Sequence, residues 1–464
     1  MKKITIISYF VLTPSQACII RVDMKRDIYE KLLEWKSSER RKPLILRGAR
    51  QVGKTYILQE FGRKEYDNIA YFNFEENPAL DDFFQQKLEP KPIIANLALY
   101  LDREIKPGND LIIFDEIQAS NNALNALKYF SEQAAEYHIA AAGSLIGITL
   151  SRPRSFPVGK VNFLDMYPLT FLEFLDALGK SGLRQLIETK DEFTPFPQPF
   201  HNELVDSLGK YHFVGGMPEP VELYVETGNL NDVRKNQKEI IDSYLLDFSK
   251  HAITSDIPKL GMIWNSIPTQ LAKENKKFVF SAIRKSARAR EYETALQWLE
   301  NAGLIYKAYQ VATAKNPLKG YMNRSSFKVF VLDVGILGAM VNLSPQLLIA
   351  KDRLFNEFKG AFVENYVAQQ LRSEKQIDLY YWTSEGKKAE LDFLCEFGSQ
   401  IYPLEAKAGI NPKSKSLNSF DKQFSPTILS RTTLLNLRHD GKILNYPLYA
   451  ITLFPKLYVG SSLK

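Results

Sequence analysis

Gly48, Gly53, Lys54 and Thr55 stand in the spacing G-x-x-x-x-G-K-[ST], and phosphate binding is the chemistry that this spacing serves. Glycines let backbone N–H groups curl around an anion without Cβ clashes. A helix starting at Lys54 adds partial positive charge at the same point. The intervening Ala49, Arg50, Gln51 and Val52, with Tyr56 just beyond, complete a cradle for a nucleotide's phosphates. Lys54 would reach the β- and γ-phosphates and the Thr55 hydroxyl would sit on Mg²⁺, so ATP and Mg²⁺ are the expected ligands. The bland alternative is an ordinary glycine-rich turn. The apolar strand Leu44-Ile45-Leu46 before the loop and the helical start Tyr56-Ile57-Leu58 after it weigh against that.

A second set of chemical residues follows downstream. Leu111-Ile112-Ile113-Phe114-Asp115-Glu116 has the pattern of a central parallel strand that delivers carboxylates to its C-terminal edge. Asp115 would hold the water shell of Mg²⁺, and Glu116 would polarise the attacking water. Alone, such a run also fits a strand stopping at a charged turn; its place after a phosphate loop favours the catalytic role. His138 to Ser144 (HIAAAGS) is a small-residue strand ending in a hydroxyl, which makes Ser144 a candidate γ-phosphate sensor, with a helix N-cap serine as the alternative. Arg152 and Arg154 lie in SRPRSFPVGKV. Either is a candidate arginine finger, supplied in cis or by a neighbouring copy in a homo-oligomer, unless both are merely solvated.

Further along, two more stretches carry chemistry. Between Lys273 and Arg290 stand Lys273, Lys276, Lys277, Arg284, Lys285, Arg288 and Arg290 against Glu274 alone, beside helical runs that end at Asn301-Ala302-Gly303 and enter a strand. Cations clustered next to a helix-turn-helix suggest contact with a DNA backbone; a solvated face or a contact with the rest of the chain is the alternative. Near the C-terminus, Glu390-Leu391-Asp392 is followed at hairpin distance by Glu405-Ala406-Lys407, with Glu364 on a preceding amphipathic helix. Residues two apart on a strand share a face, so Glu405 and Lys407 point the same way. With Asp392 they could bind Mg²⁺ through Asp392 and Glu405 and position a water for phosphodiester attack.

These residues need elements to position them, and the chain is long enough to supply several. At 464 residues it exceeds one core, so two to four domains are expected. Composition is ordinary, with 45% hydrophobic and 24% charged residues, so neither disorder nor a fibrous class fits. Two cysteines, Cys18 and Cys395, exclude a disulfide framework and suit a reducing compartment. No run approaches the roughly 18 apolar residues of a membrane span, so no membrane partner is expected. The net charge of +7 is modest and its distribution matters more than its sum. Lys2-Lys3, the run from Ile4 to Leu12 and Ser15-Gln16-Ala17-Cys18 imitate a secretory signal, even one of a lipoprotein. An exported nucleotide-binding protein would meet no ATP, and Met24 opens an amphipathic segment. Residues 1–23 are therefore expected to be a non-native leader, and the protein to be cytoplasmic.

RGARQVGKT, LIIFDEIQ, the AAGS strand, FPVGKV with MYPLTFLEFL, and FVGGMPEPV together resemble prokaryotic ATPases of the AAA type that carry a little-characterised C-terminal region. The resemblance covers almost everything from Met24 onward. Its first two motifs are shared by many ATPases, whereas the later ones belong to this group. The helices and strand around residue 301 look like a winged helix. The C-terminal acids resemble the PD-(D/E)-x-K nuclease core, although the proline before the first aspartate is missing, which puts cleavage in doubt. The expected fold is thus α/β: an AAA-like P-loop core with a parallel sheet at 24–190, a helical linker and winged helix at 191–315, and a mixed α/β nuclease-like domain at 316–464. The expected role is an ATP-driven switch acting on a DNA-associated C-terminal region. The alternatives are a metal-dependent nuclease gated by the ATPase and a nucleotide-bound scaffold for protein partners.

Overall fold

The computed structural model describes residues 24–85, 88–144, 159–273, 276–346, 359–387, 389–409 and 414–455. Strand β3 (Asp110–Asp115) is buried along its whole length, as a run of Leu, Ile and Phe requires when helices cover both faces of a sheet. Around it lie β1 (Leu44–Arg47), β2 (Asn68–Asn73), β4 (His138–Ala142) and β5 (Asn162–Asp165), all parallel, in the order β2-β3-β4-β1-β5. This order sets the C-terminal ends of β1, β3 and β4 side by side, where parallel sheets place their ligands. Helices α1 (Ile28–Ser37), α2 (Lys54–Glu65), α3 (Pro90–Tyr100) and α4 (Asn121–Gln133) flank the sheet. The helix α5 (Phe171–Ala177) then opens with a capping box in which Thr170 and Glu173 each accept the other's backbone N–H.

The stretch after the core, polar and punctuated by prolines, is ordered. It holds α6 (Ser181–Glu188), and its aromatic rings dock onto the C-terminal part, Phe193 against Tyr446 and Phe196 against Tyr449. A helical module follows: α7 (Gln198–Val214), α8 (Pro218–Thr227), α9 (Leu230–His251), α10 (Ile257–Leu271) and α11 (Ala289–Asn301). Strands β6 (Ile305–Val311) and β7 (Met322–Val331) come next, then α12 (Val334–Met340), α13 (Lys359–Gln370), β8 (Leu379–Thr383), β9 (Glu390–Phe397), β10 (Gln400–Ala406), α14 (Lys415–Phe424), β11 (Leu429–Thr433), β12 (Arg438–Asp440) and β13 (Ile443–Pro447). They build a mixed sheet in the order β12-β13-β11-β10-β9-β8-β6-β7.

The boundary expected at 315/316 falls between β6 and β7, which pair as an antiparallel hairpin, and β6 pairs in parallel with β8. The hairpin after the two helices is therefore an edge of the C-terminal sheet. One continuous apolar core runs from Ile28 to Phe454, so the three segments pack together. Asp333, fully buried, is the polar centre of that packing: it accepts the Gly216 N–H (2.6 Å), the Ile336 N–H (3.0 Å) and the Gln369 amide (3.1 Å). Gln369 also donates to the Tyr211 hydroxyl at 2.9 Å, which itself donates to the Leu169 carbonyl. Helix α13 is in this way fixed to the turn that leaves the parallel sheet.

His212 lies in the same region, fully buried against the Tyr366 ring at 4.9 Å, and burial lowers its imidazolium pKa to about 3. Between the ordinary value near 6.5 and about 3, the unfolded chain binds a proton there that the folded chain refuses, so stability falls as pH drops through that window. At pH 5 the expected loss from this residue is about 2 kcal/mol. Comparing unfolding free energies of the unsubstituted and His212→Gln proteins at pH 7 and pH 5 checks this; the variant should lose less by that amount.

Candidate functional sites

The phosphate loop is shaped by a close backbone approach. Gly48 sits at φ +152°, and a Cβ there would come within 2.2 Å of the Met166 carbonyl oxygen, so only glycine fits. Lys54, the first residue of α2, is buried, and its ammonium donates to the Gly48 (3.0 Å) and Ala49 (2.8 Å) carbonyls. Burial lowers its pKa to about 8, against the opposing pull of Glu116 and Asp115. Thr55 donates its hydroxyl to Asp115 Oδ2 at 2.8 Å, which joins loop and β3 at the point the sequence selects. Glu116 takes the left-handed conformation, φ +48°, directly after β3, and Oε2 accepts the Ser144 hydroxyl at 3.4 Å. A non-glycine residue held there stores strain of the kind found at functional positions. A cavity of about 370 Å³ opens over Gln51, Gly53, Lys54, Thr55 and Glu116, with Leu169 and Pro218 also in its lining.

Thr55 and Asp115 supply the hard oxygen donors that Mg²⁺ prefers, so the residues present fit that ion. When bound with ATP it would neutralise charge on the phosphates. A larger cavity, about 620 Å³, lies against Gly48, Ala49 and Ser144 but touches neither Lys54 nor Thr55, and the chemistry places the nucleotide in the smaller one. Arg152 and Arg154, the expected fingers, lie outside the described residues.

Several supporting residues escape a local reading of the sequence. Tyr71 donates to Asp115 Oδ2 at 2.7 Å; its signal is its place on β2, two residues before Asn73, which is in register with Asp115. Arg26 donates to the Val52 carbonyl at 3.0 Å and to Glu173 at 3.1 Å. From α9, Tyr244 donates to the Arg50 carbonyl at 3.1 Å and Asp247 pairs with the Arg50 guanidinium. Gly303, at φ +74°, approaches so closely that a Cβ would lie 3.2 Å from the Ala49 nitrogen. The helical module thus grips the phosphate loop at two consecutive residues.

The C-terminal acids do come together, with more cations than expected. Glu364 on α13, Asp392 on β9 and Glu405 on β10 are all buried. Lys407 lies 3.1 Å from Glu405 and 3.9 Å from Asp392. Two lysines to which the motif gives no part join them. Lys276 pairs with Glu364, and the fully buried Lys328 reaches Glu390 (2.6 Å), Glu364 (3.4 Å) and Asp392 (3.9 Å). Burial alone would raise the Glu364 carboxyl, but Lys276 and Lys328 outweigh it and hold it low; burial, then the Glu364 charge, pushes Asp392 up. Metal ligation is the expectation at Asp392 and Glu405, yet among the described residues no group of three or more His, Cys, Asp or Glu side chains is placed to hold a metal ion.

The basic segment divides accordingly. Lys276 is committed to Glu364, whereas Arg284, Lys285, Arg288 and Arg290 are exposed on the turn into α11. Among the described residues no carboxylate lies within ion-pair distance of those four.

Residues 40–175 match a family model described as an AAA domain. Residues 205–347 and 359–449 match two models described as domains of unknown function (DUF8612 and DUF4143). No curated protein matches the sequence. Among solved structures, the Walker-type ATPase PABY2304 of Pyrococcus abyssi aligns with 68% of this chain and 96% of its own at 15% identity, with a TM-score of 0.43. The Aeropyrum pernix ORC1 protein in complex with DNA covers 70% and 92% at 12% identity and TM-score 0.29. The Thermotoga maritima RuvB Holliday junction branch migration motor covers 64% and 91% at 14% and 0.29. At such scores these likenesses bear on neither activity nor partners. With the family match and the strand order together, the chain carries an AAA-type P-loop ATPase-like domain. No helix among the described residues is long and apolar enough to cross a membrane.

Proposed function

We propose that this protein binds and hydrolyses Mg²⁺-ATP and uses the nucleotide state to control a DNA-associated helical and C-terminal region. The observation that carries the first half is that Lys54, Thr55 and Glu116 line one cavity, with Asp115 bonded to Thr55 and Ser144 bonded to Glu116 behind them. In this mechanism Lys54 leaves the loop carbonyls for the β- and γ-phosphates, Glu116 takes the proton of the attacking water, and Ser144 steadies Glu116. Thr55 and Asp115 would hold Mg²⁺, which would supply charge neutralisation at the phosphates.

The second half rests on the grip of Tyr244, Asp247 and Gly303 on Arg50 and Ala49, because any shift of the loop on hydrolysis is felt in the helical module. The exposed cations at the start of α11 favour a nucleic-acid backbone as what that module binds. ATP turnover by the full chain, measured with and without duplex DNA, tests the coupling. Turnover should rise several-fold with DNA; a rate indifferent to DNA at low salt would favour a scaffold for protein partners instead.

A further inference from the structure

Where α13, β9 and β10 converge, four carboxylates (Glu364, Glu390, Asp392, Glu405) meet three lysines (Lys276, Lys328, Lys407). Lys328 comes from β7 and Lys407 directly follows β10, so both belong to the sheet itself. Lys276 does not. It lies in the segment between α10 and α11, and it crosses to α13 to reach Glu364.

We infer that this acid cluster is a cation socket whose resident cation is the Lys276 ammonium, supplied by the helical module in place of a metal ion. At least one oxygen of each carboxylate already faces a cation. Glu364 Oε1 faces Lys276 and its Oε2 faces Lys328 at 3.4 Å. Asp392 Oδ2 accepts the Ala406 N–H at 2.9 Å, and Oδ1 lies 3.9 Å from Lys328. Glu405 Oε1 is 3.1 Å from Lys407. Mg²⁺ demands near-octahedral oxygens at about 2.0–2.1 Å and gives up its waters reluctantly, so it does not fit a set arranged around ammonium groups. The backbone also makes room for the lysine: a Cβ on Gly360, in the first turn of α13, would come within 2.8 Å of the Lys276 ammonium.

The socket explains why Lys276 is drawn partly inside while the cations after it stay exposed. Lys276 anchors the segment to α13, and Arg284, Lys285, Arg288 and Arg290 lie exposed beyond the anchor. Taking the Lys276 charge away leaves Glu364 and Asp392 with one fewer cation, and a hard divalent ion becomes the natural replacement.

Mn²⁺ titrated into the nucleotide-free full chain, with free ion followed by electron paramagnetic resonance, tests this. Asp392→Asn should leave the Mn²⁺ binding of the otherwise unsubstituted chain unchanged. Lys276→Gln should gain a site about tenfold tighter or more, lost again in Lys276→Gln combined with Asp392→Asn. Mn²⁺ binding that Asp392→Asn removes while Lys276 is intact would overturn the inference, and so would a folded Lys276→Gln protein that gains no site. The first comparison needs no Lys276 variant and stands even if that variant fails to fold.

Discussion

A Glu116→Gln protein is expected to bind ATP as the unsubstituted chain does and to hydrolyse it about 10²-fold more slowly or worse. Glutamine has the same shape and can still accept the Ser144 hydroxyl that Glu116 Oε2 accepts at 3.4 Å, so the site keeps its form. It cannot take a proton from water. Binding rests elsewhere, on the loop N–H groups, Lys54 and the Thr55–Asp115 pair at 2.8 Å. The two properties should therefore separate. Nucleotide affinity by equilibrium titration and turnover by phosphate release measure them independently. Undiminished hydrolysis in this variant would remove Glu116 from the mechanism and leave the strained φ of +48° without a catalytic explanation.

The second large effect concerns the turn into α11. Arg284→Ala with Lys285→Ala is expected to weaken DNA binding and to flatten the salt dependence of its logarithm by about 0.9 for each phosphate that the pair neutralises in the unsubstituted chain. Both side chains are exposed and, among the described residues, meet no carboxylate, so their removal costs the fold little. Lys276 is no part of this exposed surface: its ammonium is held by Glu364 on α13. Binding of a labelled duplex across a range of salt concentrations reads the slope directly. A slope equal to that of the unsubstituted chain would mean that this turn does not touch phosphate.

What the sequence made legible was local. The glycine spacing between Gly48 and Thr55 and the apolar run ending in Asp115-Glu116 each state a strand, a turn and a charge within a dozen residues, and the parallel sheet carries both where expected. What it hid was pairing across distance. Tyr244 and Asp247 reach Arg50 from positions 194 and 197 residues away, and nothing in the amphipathic pattern of α9 marks those two polar groups as different from solvated ones. Lys276 reads as one more cation in a basic run until Glu364, 88 residues on, is seen to hold it. Strand β6 reads as the end of one module and β7 as part of the next because strand alternation says nothing about which neighbour a strand will choose; β6 pairs with both β7 and β8.

The central claim is that one loop binds the nucleotide and one carboxylate consumes it. The most direct measurement is ATP binding and Mg²⁺-dependent turnover recorded side by side in Lys54→Ala and Glu116→Gln. Lys54→Ala removes the point charge on the β- and γ-phosphates, so the expected result is loss of binding and turnover together, against retained binding with lost turnover in Glu116→Gln. ATP turnover at the unsubstituted rate in Lys54→Ala would contradict the account.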